Sequence, residues 1–104
     1  MRPANQQQAV RHMECLLKRK IKGNRKTYVK EHLNRAKCIA VVIWARFQVG
    51  PYQYQLKHLI WYQQVHIQHL KLTTQYRHLL TLKNIARVLG KPDTWQRALQ
   101  SSRY

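Results

Sequence analysis

Three glycines interrupt this sequence, at positions 23, 50 and 90, and between them apolar residues return every three or four positions. That spacing gathers apolar side chains on one side of an α-helix, whereas a half-buried strand alternates at every second residue. Gly50 and Gly90 each have a proline close behind, Pro51 and Pro92, and proline cannot extend a helical hydrogen-bond ladder. The pattern predicts an all-α chain, a compact bundle of four to five short helices. Its 104 residues leave room for one hydrophobic core and none for a separate catalytic lobe.

The first helix is expected over residues 4–21, with Val10, Met13, Leu17 and Ile21 on one face and Arg11, Cys15, Lys18 and Arg19 on the other. Gly23-Asn24 breaks it, and Thr27 is suited to cap a second helix starting near Tyr28. There Val29, Leu33, Ala36, Ala40, Trp44 and Phe47 share a face, while Cys38 to Ala45 is apolar on every side, the mark of a buried central helix. A third helix runs from about Gln53 to His69 with Leu56, Leu59, Ile60, Gln63, Ile67 and Leu70 inward. Tyr54, Trp61 and Val65 form a second strip on it, suited to a sandwiched helix or, through Trp61 and Val65, to a protein partner. Thr73 or Thr74 caps a fourth helix that turns Leu79, Leu82, Ile85, Ala86 and Leu89 inward and stops at Gly90. Asp93 caps a short fifth through about Ser101, with Gln96 at the capping-box position and Trp95 and Leu99 available for packing. This divides the chain into a basic N-terminal helix and hinge, residues 1–26, and a helical domain, residues 27–104.

Twenty Lys and Arg face only Glu14, Glu31 and Asp93, a formal charge of +17. Self-repulsion on that scale favours a polyanionic partner, and a 44% hydrophobic content argues for a folded surface rather than a disordered tail. Nine of the twenty basic residues fall between positions 18 and 37: Lys18, Arg19, Lys20, Lys22, Arg25, Lys26, Lys30, Arg35 and Lys37. A charge run is ordinarily a solvated face, but one with so few compensating acids is better suited to a phosphate backbone. Lys18, Arg19, Lys20, Lys22, Arg25, Lys26 and Lys30 are therefore candidate phosphate contacts. On the fourth helix Thr73, Arg77, Asn84, Arg87 and Lys91 lie on one side, with Thr74 at the helix start. Arginine reads guanine and asparagine reads adenine in the major groove, while Lys and Thr more often hold phosphates. The spacing permits base readout, and an ordinary exposed face would look the same. The expected partner is duplex DNA, with RNA, in a ribosome-associated or RNA-binding role, as the alternative.

Three scattered carboxylates supply no general acid/base pair, and neither a Gly-rich phosphate loop nor a nucleophile elbow is present, so no catalysis and no cofactor are expected. His58, His66 and His69 are spaced by whole turns but lack an acid or cysteine to complete a metal site. Cys15 and Cys38 show no CxxC spacing and are read as buried thiols in a reducing compartment. Trp44 reads as core, and Trp61 is the aromatic most open to a ligand. The longest apolar run falls far short of the roughly 20 residues of a membrane span, and no apolar signal follows Met1-Arg2-Pro3. The expected location is the cytoplasm, in association with the nucleoid.

From about Thr27 to Lys91, most clearly over Leu72-Thr-Thr-Gln-Tyr-Arg-His-Leu-Leu-Thr-Leu-Lys-Asn-Ile-Ala-Arg-Val-Leu-Gly90, the sequence resembles the core-binding, or SAM-like, N-terminal domain of tyrosine recombinases and phage integrases. The preceding Val49-Gly-Pro-Tyr-Gln-Tyr-Gln-Leu-Lys-His-Leu-Ile-Trp-Tyr62 resembles the helix that precedes this one in the family. The resemblance implies a four-helix domain that clamps one side of duplex DNA in integration or site-specific recombination. In the family a separate domain carries catalysis, and nothing in this chain matches it. His32-Leu-Asn-Arg35 spells His-x-x-Arg but lies in the supposed binding domain, without the family's flanking motifs.

Overall fold

The computed structural model describes the backbone of residues 2–20 and 26–101, and their side chains except at 19, 20, 26–29, 100 and 101. It is all-α. Five α-helices follow in order, α1 (Gln6–Lys20), α2 (Lys26–Phe47), α3 (Leu56–Trp61), α4 (Leu72–Val88) and α5 (Asp93–Ser101), and no strand occurs among the described residues. Contacts divide the chain between Tyr54 and Gln55 into two units. The boundary expected after residue 26 instead runs through the packed pair α1–α2.

In the first unit α1 lies against α2. Asn5 starts α1: its Oδ1 accepts the Gln8 N–H at 2.9 Å while Gln8 Oε1 accepts the Ala4 N–H at 2.8 Å, a reciprocal cap that satisfies donors the helix itself cannot. Ala9, Met13, Leu16 and Leu17 are buried from α1, and Ala36, Ile39, Ala40 and Ile43 from α2. Alanines on both helices let the backbones approach closely. Relative to the expected face, α2 is rotated by roughly 50° at 100° per residue. His32, Ile39 and Ile43 go inside, while Leu33, Trp44 and Phe47 are half-buried. Cys38 and Ala45 are exposed, so α2 is not buried all round, and the exposed Cys15 and Cys38 correct the expectation of buried thiols. Thr27 lies inside α2 rather than at its cap, because the helix already begins at Lys26.

The end of α2 also differs in its chemistry. Gln48, not Gly50, takes the left-handed conformation, with φ 56°, and its N–H closes on the Trp44 carbonyl at 2.8 Å. Gly50 has φ −94°, open to any residue, and is needed for space: a Cβ there would lie 2.6 Å from Pro3 Cδ. The buried Pro3 thus seats the N-terminal segment on the turn that begins Pro51–Gln53.

In the second unit the expected long third helix is interrupted. After α3, residues Tyr62–His66 widen into a π-helical turn in which the Ile67 N–H reaches the Tyr62 carbonyl at 3.2 Å. Ile67 is buried as its spacing predicts, and Val65 is 59% exposed. Leu59, Tyr62 and Gln63 are buried as well, and Leu56, Ile60 and Leu70 are half-buried. Tyr54 precedes α3 and is buried, so Tyr54, Trp61 and Val65 do not form the expected strip.

Leu79, Leu82, Ile85 and Ala86 of α4 are buried as their spacing predicts, and Leu89 is half-buried. Thr81, buried with them, satisfies its hydroxyl on the Arg77 carbonyl at 3.2 Å. Neither Thr73 nor Thr74 caps α4. Both lie in its first turn, and the capping position falls to Lys71, which makes no side-chain cap bond. The turn before it is tied instead by Gln75, whose Nε2 donates to the Leu70 carbonyl at 2.8 Å. At the other end Gly90, φ 75°, donates to the Arg87 carbonyl at 2.9 Å and Lys91 to that of Ala86 at 3.0 Å, the paired bonds of a Schellman stop. Asp93 occupies the first turn of α5, Leu99 is buried, and Gln96 Nε2 donates to the Lys83 carbonyl at 2.8 Å, tying α5 to α4.

Candidate nucleic-acid interface

Lys18, Arg19, Lys20, Lys26 and Lys30 of the basic cluster lie where α1 ends and α2 begins, and Arg35 and Lys37 lie farther along α2. Helix α1 ends in Lys18, Arg19 and Lys20, and α2 opens with Lys26 and reaches Lys30 a turn later. Six peptide steps separate Lys20 from Lys26, so the two helix ends lie within roughly 20 Å of each other. Lys18 and Lys30 are exposed. Lys22 and Arg25 lie outside the described residues, and for Arg19, Lys20 and Lys26 only the backbone is described. Over residues 14–37 nine basic groups face two carboxylates, Glu14 and Glu31. Glu14 is shared, 3.6 Å from Lys18 Nζ and 3.5 Å from Lys37 Nζ. Surface pairs of this kind are worth about 0–1 kcal/mol and neutralise little of the surplus.

Helix α2 has no acid in its first turn, where a cation such as Lys26 is unfavourable. An anion bound near that end would relieve the repulsion.

On α4, Thr73, Arg77 and Arg87 are exposed and Thr74 and Asn84 half-buried, so the expected polar face is present. Arg87 Nη2 donates to Asn84 Oδ1 at 2.5 Å, which engages the acceptor a bidentate adenine contact would use. Lys91, half-buried, places its Nζ 5.1 Å from the Trp95 ring centroid. The same face also carries residues that the sequence alone did not single out: Leu72 is 73% exposed, Tyr76 50% and Leu80 36%. Their recurrence at every fourth position was the available signal, hidden because Leu80 adjoins the inward Leu79.

The histidines and tryptophans divide differently from the ligand roles weighed for them. The buried His58 accepts the Gln55 N–H on Nδ1 at 2.9 Å, and burial, then the Lys57 charge, lowers its pKa from 6.5. His66 lies 5.1 Å from the Tyr62 ring and 6.3 Å from that of His69, and burial, then His69, lowers its pKa as well. Among the described residues no three His, Cys, Asp or Glu side chains come close enough to hold a metal ion. Trp44 and Trp61 are both half-buried, Trp61 with its ring 6.0 Å from His66. No helix among the described residues is long and apolar enough to cross a membrane. No protein-family model, curated protein or solved structure matches the chain.

Proposed function

We propose that this chain is a non-catalytic module that binds duplex DNA, gripping phosphates with the basic end of the α1–α2 pair. The observation that carries the reading is the run of nine basic residues against two carboxylates over residues 14–37, with Lys18, Arg19, Lys20, Lys26 and Lys30 where α1 ends and α2 begins, on a chain of charge +17. Neutralising those phosphates releases counterions, which makes such binding strong at low salt and steeply salt-dependent. With three carboxylates in the chain and none paired for proton transfer, the module acts by occupying DNA rather than cutting it. Its resemblance to a recombinase core-binding domain suits a role in integration or recombination beside a catalytic partner, and association with the nucleoid follows from the ligand.

Fluorescence anisotropy of a labelled duplex across a salt series tests this. Replacing Lys18, Arg19 and Lys20 together with Gln should weaken binding to every duplex and flatten the log–log salt slope by about 0.9 for each phosphate no longer neutralised. An unchanged slope would refute the clamp. Tighter binding to a structured RNA hairpin of equal length would move the reading to RNA.

A further inference from the structure

We propose that the exposed face of α4 is a docking surface for an acidic amphipathic helix of a partner protein. Leu72, Tyr76 and Leu80 stand at successive fourth positions, so their side chains form one ridge spanning roughly 12 Å of the helix at 1.5 Å per residue. Single exposed leucines are ordinary, but three large apolar side chains in register on one helix are not. An apolar helix–helix seam is built from this spacing, with the partner supplying anchors every three or four residues.

The flanks state the partner's charge. Lys71, Arg77 and Arg87 are exposed around the ridge, and α4 contains no Asp or Glu. A second copy of this chain fits badly, because a two-fold contact through this face would set these cations against themselves on two chains of +17 each. DNA fits the ridge poorly too. A duplex presents phosphates, sugars and polar base edges, where leucine finds little beyond a thymine methyl. A helix with a leucine stripe bordered by glutamates satisfies both the apolar ridge and the cations beside it.

The probe is a synthetic helical peptide with leucines at three- and four-residue spacing and flanking glutamates, titrated into the full chain by calorimetry. A peptide of the same composition, scrambled to destroy the stripe, is the control. Binding is expected for the first peptide, weakened about tenfold or more by Leu72→Ser with Tyr76→Ser, and similarly when the glutamates become glutamines. Leu72 is 73% exposed and Tyr76 is half covered, so the melting temperature of the double variant is read beside its binding, Leu72→Ser alone should leave it unchanged, and duplex affinity should hold in both. Equal binding of the scrambled peptide would overturn the proposal, as would no binding at about 1 mM. A tenfold loss of duplex affinity in the double variant would reassign the ridge to nucleic acid. A wild-type dimer that the variant dissociates in sedimentation would reassign it to self-association.

Discussion

Gly50→Ala isolates the contact that holds the N-terminal segment on the first unit. The backbone at Gly50, φ −94° and ψ 176°, suits alanine, so the whole penalty is spatial. The new Cβ would lie 2.6 Å from Pro3 Cδ and 2.7 Å from Pro3 Cγ, closer than such atoms approach without movement. If Pro3 stays and the backbone shifts, overpacking costs about 1–3 kcal/mol. If the buried Pro3 ring leaves, the lost burial is about 1.5–3 kcal/mol, the range for a side chain of valine size. Restricting the unfolded chain returns about 0.4–1 kcal/mol. The net expectation is a loss of about 1–2 kcal/mol, read by urea denaturation followed by circular dichroism at 222 nm. Pro3→Ala removes both clashing atoms and leaves Gln53 Oε1 at 3.2 Å from the new Cβ, so in that background Gly50→Ala should cost much less, giving a coupling of about 1–2 kcal/mol in a double-mutant cycle. Additive effects of the two substitutions would refute the reasoning.

Two further outcomes rest on single observations. Gly90, φ 75°, has open space where a Cβ would go, so Gly90→Ala should cost only the left-handed backbone penalty, about 1–2 kcal/mol, and Gly90→Asn distinctly less; equal losses in denaturation would contradict this. Because burial and Lys57 hold the His58 pKa below 6.5, the unfolded chain binds more protons just below that pH. The stabilisation is therefore present above pH 6.5 and is lost as pH falls through the lower folded value. Melting curves from pH 7.5 to 5 should show this decline, and His58→Gln should lessen it.

The parts of this fold that were legible in the sequence are those decided within a few residues of chain. Gly90 ends α4 because only a residue tolerant of φ 75° closes the two Schellman bonds, and the inward set Leu79, Leu82, Ile85 and Ala86 follows from helical geometry alone. The cap at Asn5 and Gln8 was equally local and was missed, since glutamine-rich starts carry no apolar edge to mark them. What was not legible depends on residues far apart. The rotation of α2 follows from its packing against α1, with Ala9, Met13 and Leu16 buried from one helix and Ala36, Ile39 and Ala40 from the other, and periodicity cannot choose between two apolar sides of one helix. The need for Gly50 is set by Pro3, nearly fifty residues away, so a glycine that reads as a left-handed stop works as a gap.

The same distinction governs the two surfaces. Charge surplus needs no fold to be seen, which is why the cluster from Lys18 to Lys37 was visible at once and why its proposed ligand is a class, polyanions, rather than a sequence. The face of α4 is the opposite case. Its arginines suggested a groove reader, but what a helix binds depends on everything it exposes, and exposure is a tertiary property. Leu72, Tyr76 and Leu80 share that face with Arg77 and Arg87, while Asn84 already accepts from Arg87. A surface that must bury leucine and neutralise arginine together asks for a ligand with apolar and anionic groups in alternation. A carboxylate-edged helix sets leucine-sized side chains beside its anions, whereas a DNA backbone offers only its sugars between the phosphates.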